Sequence, residues 1–278
     1  MVDEKNRGFQ MRPTPAHVLY IALALVTLMN VGCERRATEP VVMVASSLSV
    51  LTDRWAKEEA HGVRWQGAGS QRITQWLEGG ARPLFSILAT SKYIQPLRAR
   101  GLITWTLTLG CSELSLAQVK PERGAVASPL TLEEWRAWGE RLSAGDRVAL
   151  TAEEVPLGRL SSELLRRSEG HFGATWRRRV QGAVVTQPLS ASSTATMLMT
   201  GEVDASLLFK VMRYGRPELS FRDLPPQLQT EVSYIAVGVR AEGKLSAERF
   251  RSWLKGHPAL GVTPCAQAGS AGAEGISP

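Results

Sequence analysis

The 278-residue chain has three cysteines, four isolated histidines and aromatic content of 6%, with no long, uninterrupted apolar segment after residue 31. No Cys-x-x-Cys pair occurs, so metal sites of the zinc type are not expected. Gly-x-Ser-x-Gly, His-Glu-x-x-His and phosphate-loop motifs are also missing, which leaves enzymatic catalysis without a recognisable nucleophile or base. The adjacent Glu153 and Glu154 read as solvated carboxylates. No basic stripe interleaved with aromatics is present either. The net charge of +7 is scattered, with its densest groups at Arg35-Arg36, Arg166-Arg167 and Arg177-Arg178-Arg179. It is read as a basic solvated surface, with no nucleic-acid partner.

What is present begins at the N-terminus. Lys5, Arg7 and Arg12 precede an apolar run from Val18 to Val31 that stops at Gly32-Cys33. Such a run is short for a bilayer span and has the layout of a signal segment. Cysteine directly after a small residue points to a lipoprotein signal over 1–32, with Cys33 acylated. A plain secretory signal or an uncleaved anchor are the other readings. Each places the remaining chain outside the cytoplasm, in the periplasm or cell envelope, after a polar tether over 33–40. Cys111 and Cys265 could then pair in an oxidising compartment, although sequence does not show that their Cα atoms approach.

From residue 41 the chain alternates strand and helix. Val41–Ala45 is a continuous apolar run of strand length, followed by Ser46-Ser47 and a helix with Leu48, Leu51 and Trp55 on one face. A short strand at Val63–Trp65, a turn at Gly67–Ser70 and a helix with Ile73, Trp76 and Leu77 repeat the unit. Leu84–Ala89 reads as a third strand and Leu107–Val119 as a fourth. After the helix Leu132–Leu142, strands are expected at Val148–Leu150, Val184-Val185, Ala205–Val211 and Val232–Arg240. Helices are expected from Val155, over 193–200 and over Ser246–Leu254. From Gly261 onward Gly, Ala, Ser and Pro dominate, so a frayed end is expected, with 266–278 as a flexible tail. Alternating β and α units imply parallel sheets covered by helices.

Ser47 and Ser70 stand at strand-to-helix junctions in consecutive units. Both junctions fall on the carboxyl edge of a parallel sheet, where a hydroxyl and free helix N–H groups favour an anion. Each serine is also explained by a plain N-cap role.

Val42-Met43-Val44-Ala45-Ser46-Ser47-Leu48 resembles the first strand and Ala-Ser-Leu turn of the periplasmic molybdate-binding proteins. Gly67-Ala68-Gly69-Ser70, with Gln75 and Glu78–Ala81, resembles their second ligand turn and its helix. Val155-Pro156-Leu157-Gly158 and Gly201–Ala205 match two further family segments, so the likeness runs over roughly 41–260. The resemblance implies an α/β, two-lobed type II periplasmic binding protein, each lobe a mostly parallel sheet flanked by helices. Lobe 1 would comprise 41–117 and 233–265, and lobe 2 would comprise 118–232. It implies capture of molybdate or tungstate, without a cofactor, for an ABC transporter permease, by a monomer held at the membrane through its lipid.

Carried over residue by residue, the family's serine ligands fall on Ser47 and Ser70. Its backbone donors fall on Leu157 and Ala191, and its ligand tyrosine falls on Phe209, which has no hydroxyl. A strand-bound Lys210 would face away from the ligand. Thr151-Ala152-Glu153 and Pro83-Leu84-Phe85 also depart from the family pattern. These departures leave open another small anion or organic acid, or an envelope interaction module without a ligand.

Overall fold

In the computed structural model, residues 39–58, 62–119, 128–143 and 145–266 are described. The expected signal segment, Cys33 and most of the expected tether therefore lie outside the described residues, as does 267–278. No described helix is long and apolar enough to cross a membrane.

Two β/α groups share the domain. The first contains β1 (Val41–Ala45), α1 (Ser49–Glu58), β2 (Arg64–Ala68), α2 (Ser70–Glu78), β3 (Phe85–Leu88) and α3 (Ile94–Ala99). β1 pairs in parallel with both β2 and β3. Burial explains the local choice. Val42, Val44, Phe85, Ile87 and Leu88 are inaccessible to solvent, so these strands need apolar side chains on both faces.

β4 (Trp105–Val119) then passes from this group to the next. Its first part, through Glu113, pairs antiparallel with β9 (Glu231–Gly238). Its second part, from Leu114, pairs with β7 (Ala205–Phe209) and β8 (Leu219–Asp223). The second group also holds α4 (Leu132–Arg141), β5 (Val148–Ala149), α5 (Pro156–Phe172), α6 (Ala174–Gly182), β6 (Val184–Thr186) and α7 (Ala191–Met199). β5 pairs in parallel with β6 and β7. Each group thus keeps a parallel core, and β4 with β9 joins the two. The resulting strand path is β2-β1-β3-β9-β4-β7-β5-β6, with β8 on β4.

Large aromatics fill both groups. Trp55 meets Trp65 and Phe250 edge-on in the first. Trp135 stacks on Trp138 at 4.6 Å between centroids in the second, and its indole N–H donates to Ser168 Oγ. α8 (Ala241–Gly256) carries Phe250, Trp253 and Leu254 back onto the first group.

Three local expectations are corrected. β2 continues through Gly67 and Ala68, which pair with Val44 and Ala45 of β1, so the turn shrinks to Gly69. β7 stops at Phe209 and not at Val211, because the chain turns into a 3₁₀ helix over Lys210–Arg213. There Val211 N–H donates to Ser112 Oγ at 3.0 Å, and Lys210 Nζ pairs with Asp223 at 2.7 Å and Glu113 at 3.5 Å.

The third concerns the chain after Gly261, which is held and not frayed as far as Cys265. Cys111 and Cys265 form a disulfide with Cα atoms 4.9 Å apart. Cys111 and Thr263 also exchange backbone hydrogen bonds at 2.7 and 2.9 Å. Gly110 makes this crossing possible, since a Cβ there would lie 2.7 Å from Val262 Cγ1 and 2.8 Å from Thr263 O.

Candidate functional site

The carboxyl ends of β1, β3 and β7 converge with the N-termini of α2, α5 and α7 on one small cavity. Its lining includes Ser47, Ser70, Leu157, Ala191 and Phe209 together with Ser46, Gly69, Ala89, Val155, Pro156 and Ser190. All five residues singled out from sequence therefore share one cavity, although they come from both strand groups. No ionisable side chain lines it.

Neither serine spends its hydroxyl on a helix cap. Gly69 occupies the N-cap of α2, and no side chain caps that helix. Ser70 is its first helical residue, and its Oγ accepts from Ala89 N–H at 2.9 Å. Ser47 Oγ accepts from the Tyr234 phenol, also at 2.9 Å. A serine hydroxyl carries one proton and can accept as well. Both protons therefore remain available to the cavity. This decides against the plain N-cap reading at both positions.

Backbone donors complete the lining. Pro156 is pre-shaped for the first turn of α5 but has no N–H, so Leu157 supplies the first free donor of that helix. No side chain caps α5. At α7, Ser190 caps the N–H of Ser193, which leaves that of Ala191. Among the described residues, neither Leu157 N–H nor Ala191 N–H has an acceptor. The positive ends of three helix dipoles thus meet at one point, a standard arrangement for an anion.

Gly158 seats α5. A Cβ there would fall 2.0 Å from Ala152 O and 2.2 Å from Thr151 O. Gly158→Ala must therefore push the helix start off the 151–152 segment, taking Leu157 N–H with it. Overpacking of this kind removes about 1–3 kcal/mol. The expected result is a melting point lower by about 2–4 °C per kcal/mol, together with weaker ligand binding by calorimetry.

Several hydrogen bonds join the two strand groups. Ser192 Oγ on α7 donates to Ser46 O at 3.0 Å. Arg159 Nη2 on α5 donates to Thr90 Oγ1 at 3.1 Å, and Arg54 Nη1 donates to the Tyr214 hydroxyl at 3.3 Å. The cavity, partly open to solvent, measures about 20 Å³. That is slightly more than the ~10–15 Å³ one ordered water needs. Larger hollows of about 330 and 190 Å³ lie within the second group alone. Their linings include charged side chains, among them Glu153, Glu154 and Arg177 in the first and Arg141, Arg147 and Asp204 in the second.

Sequence reading missed Tyr234 and Ala89. Tyr234 is wholly buried on β9, and its ring meets Phe209 edge-on at 6.4 Å. Burial pushes its phenol well above the ordinary value, more than the Ser47 contact lowers it. It is therefore a neutral donor at any ordinary pH. No local pattern marks a tyrosine 187 residues from its partner. Lys210 does not line the cavity, and its ammonium is held by Asp223 and Glu113.

The profile of the bacterial extracellular solute-binding proteins matches residues 41–262. The chain belongs to that family. Among solved structures, this solute-binding protein is similar to the periplasmic molybdate-binding protein of Azotobacter vinelandii, at 18% identity and TM-score 0.60, over 82% of this chain and 100% of that one. It is similar to the sulfate-binding protein of Mycobacterium tuberculosis at 14% identity and TM-score 0.56, over 82% and 87% of the two chains. A third likeness is to PEB3 bound to L-phospholactate, at 9% identity and TM-score 0.59, over 81% and 100%. At these identities the likeness establishes the fold: a central sheet with flanking helices, as in type II periplasmic binding proteins. No curated protein sequence matches the chain.

Proposed function

We propose that this solute-binding protein captures a compact tetrahedral oxyanion of the molybdate or tungstate type and presents it to an ABC transporter permease. The observation that supports this reading is the set of neutral donors among the lining residues: the hydroxyls of Ser47 and Ser70, whose oxygens already accept from Tyr234 and Ala89, and the unpaired N–H groups of Leu157 and Ala191, with no ionisable side chain in the lining. Dipolar donors in fixed positions hold a dianion without a buried countercharge. Contacts from both strand groups favour the closed form through differential affinity. The lipoprotein-type start at Gly32-Cys33, the solute-binding family and the Cys111–Cys265 bridge support an extracytoplasmic, lipid-tethered protein.

Phe209 supports a second reading, a different small oxyanion in the same cavity, because it supplies no hydroxyl where the molybdate-binding proteins use tyrosine. A thermal-shift assay with molybdate, tungstate, sulfate and phosphate separates the two. Ligand at 100 times its dissociation constant adds about 2.7 kcal/mol, or about 2–4 °C per kcal/mol. A shift with sulfate alone would replace the molybdate reading, and no shift with any of them would remove the oxyanion reading. Phe209→Tyr supplies the missing hydroxyl and is expected to tighten molybdate binding. A hydrogen bond to a charged group contributes about 1.5–3 kcal/mol, roughly 10- to 150-fold in affinity. Titration calorimetry reads the change.

A further inference from the structure

We propose that Tyr234 is a positioning and specificity-determining residue, whose phenol holds the Ser47 hydroxyl in the orientation that donates into the cavity. The inference rests on the oxyanion reading and adds to it. Two arrangements of the Ser47–Tyr234 pair are conceivable. If Ser47 donated to Tyr234, the phenol proton would be left without an acceptor, because Ser47 Oγ is its one partner among the described residues and the ring is fully buried. If Tyr234 donates, every proton is used once an anion occupies the cavity. The second arrangement therefore prevails.

Ser70 reaches the same state by a different route. Ala89 N–H can only donate, so Ser70 Oγ must accept and its proton must point elsewhere. The two serines are thereby turned the same way, one by a backbone amide and one by a phenol. Phe209 packs edge-on against the Tyr234 ring and helps to keep it in place. The hydroxyl missing at position 209 is thus matched by a phenol one layer further back, which acts through Ser47 and does not touch the ligand.

The consequence is a preference based on protonation. An anion with unprotonated oxygens receives the Ser47 proton. An anion that carries a proton at neutral pH, such as phosphate, gains from a Ser47 oxygen that is free to accept. Removing the phenol proton should therefore weaken molybdate binding without weakening phosphate binding.

The test is a double-mutant cycle of Tyr234→Phe and Ser47→Ala on the mature protein, with molybdate and phosphate titrated by calorimetry at neutral pH. Tyr234→Phe is expected to weaken molybdate roughly tenfold, to leave phosphate unchanged or tighter, and to have no further effect in the Ser47→Ala background. Equal weakening of both anions, an effect that persists without Ser47, or no effect would each overturn the proposal. If the wild-type protein binds neither anion, the oxyanion reading itself has failed, and the proposal with it.

Biosynthetic replacement of tyrosine by 3-fluorotyrosine keeps the ring's shape and gives a stronger donor, so it serves if Tyr234→Phe does not fold. The molybdate-to-phosphate preference should then widen several-fold; an unchanged preference overturns the proposal.

Discussion

Replacing Ser47 or Ser70 with alanine is expected to weaken molybdate binding by roughly 10- to 150-fold for each, with no measurable binding left in the double variant. The estimate follows from the loss of about 1.5–3 kcal/mol for each hydrogen bond to a charged ligand. Both substitutions also strand a buried donor. Ser70→Ala leaves Ala89 N–H without its acceptor, and Ser47→Ala leaves the Tyr234 phenol without one. Each unsatisfied group lowers stability by about 1–3 kcal/mol. Melting curves must therefore accompany the titrations. A variant that is folded at the assay temperature and retains wild-type affinity would show that the cavity is not the binding site.

Breaking the Cys111–Cys265 bridge is expected to lower the melting point while leaving oxyanion affinity nearly intact. The bond links residues 154 apart in sequence, and removing a cross-link over a long loop typically lowers stability by about 2–5 kcal/mol. At about 2–4 °C per kcal/mol, calorimetry of the paired Cys111→Ser and Cys265→Ser variant would register the difference easily. Neither cysteine lines the cavity, so ligand binding serves as the control. Coincident melting of the wild-type and paired variant would mean that the backbone bridge between Cys111 and Thr263 already holds the segment without the bond. A large loss of affinity would instead show that the bridge supports the β4–β9 connection between the two strand groups.

The two predictions differ in how far they could be read from the chain. The serines were legible because the signals are local: an apolar strand, a short turn and an amphipathic helix, twice in succession. The family likeness then named Leu157, Ala191 and Phe209 in the second half. The bridge was only a possibility, since nothing in the Gly-, Ala- and Pro-rich end from Gly261 announces that Thr263 pairs with Cys111. β7 was read too long for a related reason. Val211 has the composition of a strand residue, and what ends the strand is a distant hydroxyl, Ser112 Oγ, together with the pull of Asp223 on Lys210.

By itself the sequence determined the alternation of strands and helices and two serines placed where parallel strands end. Periodicity and turn chemistry act over a few residues, so one segment suffices to reveal them. Tertiary structure alone decided which way those serines face. Gly69, and not either serine, caps α2; Ala89 N–H and the Tyr234 phenol occupy the two serine oxygens; and α5 and α7 bring their free N–H groups from the other side. A hydroxyl's direction depends on what reaches it, and here the partner of Ser47 arrives from 187 residues away.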